Sequence, residues 1–293
     1  MQLISEAYSL LKNRKGLDND AMAVVFDEWN GGELDSFLIE ITANILRFRD
    51  EDGKPLLDKI LDVAGQKGTG KWSAIAAMDE NDPLTLITEA VYARLLSALY
   101  PERIKAASLY SGKLKVESGK LSDNAQLSIE DVRQALYAAK LISYAQGFSL
   151  LRHASEHYGW DLDYGTIARI WRKGCIIRSV FLQKITEAYR KDPDLENLLF
   201  DDFFHTKIQE ALPAWRRVVA EGALSGVALP AMSSALNYFD GLRTLYSAAN
   251  MIQAQRDYFG AHTYERTDRE RGHFFHTNWT GEGGNTVSGT YSV

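Results

Sequence analysis

The chain has 293 residues, 45% of them hydrophobic, and a formal net charge of −6 at pH 7. That length and apolar content suit one large domain or two small ones with a substantial core. The acidic balance argues against a nucleic-acid partner, and no apolar run approaches the roughly 20 residues of a membrane span.

One cysteine, Cys175, excludes an intramolecular disulfide framework and fits a reducing, cytoplasmic compartment. The first residues, Met1-Gln2-Leu3-Ile4-Ser5-Glu6, have no basic leader followed by an apolar core, so no secretory signal is expected. Residues 1–15 set Leu3, Ile4, Ala7, Tyr8, Leu10 and Leu11 on one helical stripe, with Gly16 as a stop. No Ser, Thr, Asp or Asn precedes this helix, and it reads as a helix joined part-way along. Asp18 or Asn19 can cap a second helix carrying Met22, Val25, Phe26 and Trp29, which Gly31-Gly32 ends. A longer helix follows, with Leu34, Phe37, Leu38, Ile41, Ile45 and Phe48 expected inward.

After a charged turn at residues 50–53, Pro55 fits the first turn of an amphipathic helix over 56–64. That helix leads into the loop Gly65-Gln66-Lys67-Gly68-Thr69-Gly70-Lys71-Trp72. Asp82-Pro83 starts another helix, with Leu84, Ile87, Ala90, Val91, Leu95 and Leu96 expected buried and Arg94 among them. Residues 112–127 are polar and contain Gly and Ser, and read as an internal linker. Ser128-Ile129-Glu130-Asp131 opens a long helix to about Tyr158 with a near-capping-box start. Residues 164–189 are helical in period, interrupted at Lys173-Gly174-Cys175. Further helices are expected over 200–212, 213–221 and 230–259, with Gly260 as the last stop. No convincing period-2 alternation occurs, so the chain reads as all-α with essentially no sheet.

Chemistry concentrates in the 65–72 loop. Its glycines let backbone approach a ligand, and lysines beside free N–H groups at a helix start favour an anion. A P-loop reading fails at Trp72, where a magnesium-binding hydroxyl should stand, and a P-loop follows a strand rather than a helix. A flexible connector with solvated lysines is the plain alternative. Arg94 is either a snorkelling or ion-paired side chain or a ligand clamp. The sequence His153-Ala154-Ser155-Glu156-His157 matches an inverted zinc-protease signature but lacks an obvious third ligand, so no metal is expected. Lys173 and Arg178 could lower the Cys175 pKa, yet Ile176 and Ile177 favour a buried structural thiol. Trp171, Phe203, Phe204 and Trp215 fall at helical spacings and read as core. Arg256, Tyr258 and His262 lie within two turns of a helix end, where Arg offers a planar fork for phosphate and His a hydrogen bond to hydroxyl or carboxylate. Residues 273–293 carry Phe274, Phe275 and Trp279 without helical period or a strand partner, as expected of a tail that docks on a partner subunit.

Five stretches together resemble the 6-phosphogluconate dehydrogenase family: residues 64–72, residues 171–179, Asp201-Asp202-Phe203-Phe204, residues 253–263, and His276-Thr277-Asn278-Trp279-Thr280-Gly281. The resemblance runs the length of this chain but covers only the C-terminal part of the family. It implies an all-α fold in two similar helical halves, with residues 1–260 as the substrate-binding and dimerisation domain and 261–293 as an extended tail. The implied reaction is NADP-dependent oxidation of 6-phosphogluconate with loss of CO₂ to ribulose 5-phosphate. Lys67, Thr69 and Arg94 match positions that hold the substrate, chiefly its phosphate. Arg256 and His262 match positions supplied by the other protomer of a homodimer. Ser288, Gly289, Thr290 and Tyr291 match a segment that reaches the partner's cofactor. Lys71 receives no ligand role. The family's dinucleotide-binding domain and its catalytic lysine and glutamate have no counterpart here, so no catalytic residue is assigned and the chain alone is expected to be inactive. A non-catalytic helical dimer that binds a sugar phosphate is the competing expectation.

Overall fold

The computed structural model describes residues 1–110, 127–172 and 175–281. Most of the expected 112–127 linker, the Lys173-Gly174 break and the tail residues Ser288, Gly289, Thr290 and Tyr291 lie outside them. The regular structure of the described residues is almost all helical, and the chain divides into two compact units, Met1–Phe239 and Asp240–Val293.

In the first unit, α1 (Gln2–Asn13) buries Leu3, Ala7, Leu10 and Leu11 along the expected stripe. α2 (Asn19–Asn30) starts at Asp18, whose Oδ1 accepts the Ala21 N–H at 2.8 Å. α3 (Phe37–Arg47) is capped by Ser36 and turns the opposite face inward from that expected. Ile39, Ala43 and Leu46 are buried against the core, whereas Phe37, Ile45 and Phe48 are exposed. Glu40, Asn44 and Arg47 give this helix a polar side, but its most apolar side is not the one that docks, and packing against α2 sets which residues are buried. The expected helix over 56–64 is reduced to one 3-10 turn, Leu56–Lys59, followed by an exposed extended stretch.

α4 (Thr69–Asp79), α5 (Thr85–Ala98) and α6 (Tyr100–Tyr110) come next. Their burial is sparse. α5 fully buries only Leu86, with Leu84 just before it, while Leu95 and Leu96 face outward against expectation, and α6 buries no residue.

The centre is α7 (Ile129–Tyr158), opened by a complete capping box between Ser128 and Asp131. It is buried on most of its circumference, through Val132, Ala135, Leu136, Ala138, Ala139, Leu141, Ile142, Ala145 and Phe148. The alanines let neighbouring helices come close. α10 (Asp202–Ser225) lies along it, and α1 and α5 also pack on it. α10 is continuous through Pro213, where a new helix was expected. Ile208, Ala211, Ala214, Trp215 and Val218 keep one buried face on both sides of the proline, so tertiary burial outweighs the one missing backbone donor. α8 (Tyr164–Ile170) and α9 (Leu182–Lys191) bracket the segment holding Cys175, which is only half-buried, beside an exposed Ile176. Trp215 and Phe204 are core as expected, and Trp171 and Phe203 pack partly buried against it.

Three polar groups fasten the helices. Gln146 of α7 accepts the Leu86 N–H at 3.1 Å and donates to Thr85 Oγ1 at 2.9 Å, satisfying the start of α5. Buried Asp82 accepts from Ser149 Oγ at 2.7 Å and shares a 2.7 Å hydrogen bond with His153 Nδ1. His157 sits 2.8 Å from Glu80, so each histidine of the zinc-like signature is engaged by a carboxylate just before α5. Among the described residues no cluster of potential ligands could hold a metal ion. The third fastener is Glu6 of α1, which accepts the N–H groups of Ala231 (2.8 Å) and Met232 (2.9 Å) at the start of α11 (Pro230–Leu242). Burial pushes the Glu6 carboxyl above its ordinary range, against the lowering pull of its hydrogen bonds from Gln2, Met232 and Ala231.

The second unit holds α12 (Ala249–Gly260) and a two-stranded antiparallel ladder, β1 (Tyr264–Glu265) with β2 (Phe274–Phe275). The sequence offered no strand partner for 274–275, because two-residue strands are too short for alternation to register.

Replacing Glu6 with Ala leaves two helix-start donors buried without an acceptor, and should destabilise the fold by about 1–3 kcal/mol. Urea unfolding should show a lower midpoint at unchanged slope; an unaltered midpoint would show that the α1–α11 link contributes nothing.

A candidate anion site at the start of α4

The segment ahead of α4 is tied to α5 and α6 by backbone and side-chain bonds. The Ala64 N–H donates to Ser97 Oγ at 3.0 Å, and Ser97 Oγ donates to the Arg94 carbonyl at 2.7 Å. Arg103 of α6 donates to the Asp62 carbonyl (3.2 Å) and the Ser97 carbonyl (3.1 Å), and pairs with the Asp62 carboxylate.

Two glycines then bring α4 onto α5. Gly68 precedes the helix with φ +101°, a conformation that glycine adopts freely, and a Cβ there would meet the Trp72 ring at 3.3 Å. At Gly70 a Cβ would stand 2.8 Å from Val91 Cγ2, so only glycine permits this close approach. No side chain caps α4, which leaves its first N–H groups without a side-chain acceptor, next in sequence to Lys67. Lys67, Thr69 and Lys71 are exposed, and Arg94 is half-buried on α5. Among the described residues Arg94 has no carboxylate partner, its recorded side-chain contact being Met1 Sδ at 4.0 Å. The structure thus joins the two elements that carry Lys67, Thr69 and Arg94.

Arg94 also lines a cavity of about 490 Å³ walled by α1, α3, α5 and α7. Its wall is mainly aliphatic and aromatic, and Lys140 of α7 lines it too. Lys140 Nζ donates to Ser179 Oγ at 2.7 Å and lies 5.0 Å from the Phe181 ring centre. Burial lowers its pKa to about 7, with Asp35 pulling the other way. Sequence reading passed over Lys140; the available signal was a lysine inside the apolar run Ala138-Ala139-Lys140-Leu141-Ile142.

In the second unit, Arg256 donates to Gln253 Oε1 at 2.7 Å. His262 lies beyond the end of α12, its ring edge-on to Phe259 with centres 5.8 Å apart. Ala261 takes a left-handed φ of +52°, and a Cβ on Gly260 would strike the His262 ring at 2.7 Å, so this turn depends on glycine at 260. The next residue after Arg256 organises the unit. Asp257 is fully buried and accepts from His276 Nδ1 (2.9 Å), the Thr277 N–H (3.0 Å) and Trp279 Nε1 (2.8 Å). Residues 276–279 are therefore latched to α12 of their own chain. A carboxylate near a helix C-terminus opposes the helix dipole, and that was the sequence signal for Asp257.

Taken together, the chain is an all-helical protein with a glycine-shaped cationic corner in one unit and a carboxylate-latched Arg–His helix end in the other. Residues 1–279 match the family described as 6-phosphogluconate dehydrogenase, C-terminal domain. Over all 293 residues the chain is 55% identical to the decarboxylating 6-phosphogluconate dehydrogenase of Rattus norvegicus and 54% identical to that of Homo sapiens, spanning 60% of each relative's length. Plasmodium falciparum 6-phosphogluconate dehydrogenase, solved in its apo form and with NADP+ or 6-phosphogluconate, superposes with a TM-score of 0.89 at 44% identity, covering 95% of this chain and 59% of that one. The chain belongs to the 6-phosphogluconate dehydrogenase family and corresponds to its C-terminal domain.

Burial pushes the Asp257 carboxyl up, but the bonds from His276, Thr277 and Trp279 outweigh it and hold the group below its ordinary 3.8. The stability this latch contributes is present above that value and is lost as pH falls through the lower folded-state value. Asp257→Ala should raise amide exchange at Thr277 and through the 264–275 ladder at neutral pH, and wild type should reproduce that loss only below about pH 4. Equal protection in both proteins at neutral pH would remove Asp257 from this role.

Proposed function

We propose that this chain is the substrate-binding and dimerising part of a decarboxylating, NADP-dependent 6-phosphogluconate dehydrogenase of the cytoplasm. The observation that carries the reading is the uncapped start of α4 beside Lys67, on α5 with an unpaired Arg94. A phosphate dianion takes several converging donors, and here they are the α4 N–H groups, the Thr69 hydroxyl, the Lys67 ammonium and the Arg94 guanidinium. Arg256 and His262 act on the substrate held by the other protomer, the fixed turn at 260–262 setting their spacing. Lys71, one turn further into α4, contributes field rather than contact.

NADP supplies the hydride acceptor in the whole reaction. The described residues hold one two-stranded antiparallel ladder and no βαβ unit. In this reading the 293-residue chain binds 6-phosphogluconate but does not reduce NADP. Residues 288–291 reach the partner's cofactor.

The second copy is supported by the apolar face of α4–α6. Trp72 is 65% exposed, Leu96 61% and Leu109 62%, with Met78, Tyr92 and Ile104 also outward. An uncovered apolar face of that extent is characteristic of an interface. No helix of the described residues is long and apolar enough to cross a membrane.

Calorimetry with 6-phosphogluconate tests the site. Lys67→Ala should weaken binding by about 1.5–3 kcal/mol, the range for a charge-assisted hydrogen bond, and Lys71→Ala by much less. Unchanged affinity in Lys67→Ala would overturn the site, and equal losses at both lysines would reduce it to a diffuse basic patch. Formation of NADPH by the isolated chain, abolished by Lys67→Ala, would show that it is a complete enzyme instead. Sedimentation equilibrium tests the dimer: Leu96→Glu on the α5 face should dissociate it, and so should removal of residues 282–293 to a lesser degree. A monomeric wild-type chain would end that part of the reading.

A further inference from the structure

The cavity of about 490 Å³ beside α7 has a property that phosphate binding at Lys67 does not use. Its lining includes Lys140, Arg94 and Arg178 but no aspartate or glutamate. Arg178 is engaged by Glu40 at 2.6 Å. The hydrogen-bond partner of Lys140 is a neutral hydroxyl, Ser179 Oγ, which itself donates to the Asp35 carbonyl at 3.1 Å, and the ammonium also lies over the Phe181 ring. Among the described residues no carboxylate forms an ion pair with Lys140. A lysine placed on a mainly apolar wall, with a hydroxyl to orient it and no counter-ion to keep it charged, is the environment that turns an ammonium into a neutral amine. Asp35 is the acidic group that pulls its pKa upward, and the cationic side chains around the cavity are Arg94 and Arg178.

We propose that Lys140 is a nucleophilic amine site that takes small anionic aldehydes as an imine, with Arg94 attracting the anion. The Nζ lone pair adds to the carbonyl carbon to give a carbinolamine. Loss of one water then leaves the imine, with no net change in oxidation state. Ser179 Oγ holds an Nζ–H and so fixes the amine against the wall. The cavity is large enough for a phosphorylated aromatic aldehyde, and its aromatic lining, Tyr144, Phe148 and Trp171, suits a flat body behind the reacting carbon.

The depressed pKa gives the test its signature. An amine with a pKa of about 7 is largely neutral at pH 7.5, whereas an ordinary lysine near 10.4 is neutral in roughly one molecule per thousand. The probe is pyridoxal 5′-phosphate added to the 293-residue chain across pH 6–9, followed by borohydride reduction of the imine to a stable secondary amine. Peptide mapping by mass spectrometry locates the label. Lys140 should be labelled on the order of tenfold or more faster than exposed Lys71 at pH 7.5, with its rate rising through about pH 7. Lys140→Arg should abolish the fast phase, and Arg94→Ala should slow it. Labelling at Lys71 or the Met1 amine as fast as at Lys140 overturns the proposal, as does a Lys140 rate that rises only with those of exposed lysines. Mapping of the wild-type chain decides between these outcomes even where a variant fails to fold. The 6-phosphogluconate affinity of Lys67→Ala is a separate measurement, so failure at Lys140 leaves the phosphate site standing.

Discussion

Burial of α7 on nearly all sides is the constraint on which residues 1–239 depend. A 30-residue helix can be surrounded only if its neighbours approach closely, and Ala135, Ala138, Ala139 and Ala145 leave room for that. Surrounding it also means that its few polar residues must find partners inside. Gln146, Ser149 and His153 do so with Leu86, Thr85 and Asp82, all at or just before the start of α5. The register of α5 on α7 is therefore set by hydrogen bonds as well as by apolar contact. Arg94 is carried on that same α5, and its position follows from bonds made two turns earlier.

A helix with glycine inside its first turn forms less readily than one without. α4 accepts that cost at Gly70, and the residue before it, Gly68, adds a left-handed turn. Both are explained by contact rather than by flexibility: Gly70 by Val91, Gly68 by Trp72. The glycine-rich loop is thus a fitted joint. Its lysines, Lys67 and Lys71, are exposed on either side of that joint.

Much of this was legible in sequence. The stripe of α1, the Asp18 cap, the capping box of α7 and the stop at Gly260 are local signals and appear where expected. The errors at α3 and α5 lie in choosing the buried face. Periodicity names a buried face only when the other face is polar, and α5 is apolar on both, whereas α3 has a polar side but docks through a face other than its most apolar one. Phe37, Ile45, Leu95 and Leu96 were read as inward and stand exposed. The same ambiguity hid the exposed apolar side chains of α4–α6, since an exposed apolar face has the composition of a core. Pro213 misled in a different way: the proline rule is local, and the buried side of α10 on α7 is not. Asp257 was missed because its three partners are 19 to 22 residues away in sequence, at His276, Thr277 and Trp279.

Most cations described in this chain have carboxylate partners. Lys12 pairs with Asp58, Arg133 with Glu33 and Glu130, Arg178 with Glu40, and Lys207 with Glu33 and Glu210. An acidic protein has carboxylates to spare, so an unpaired cation in it is not a matter of supply. Among the described residues Arg94 and Lys140 lack such partners, and both line a cavity without an acidic side chain in its wall. Exposed Lys67 gains little from a partner in water, but a half-buried arginine and a half-buried lysine are different. Each carries an electrostatic penalty that a bound anion would relieve, or that deprotonation relieves in the case of lysine. Arg94 cannot deprotonate and is left to attract an anion, whereas Lys140 can and becomes a nucleophile. The same absence of carboxylates therefore assigns the two cations different chemistry.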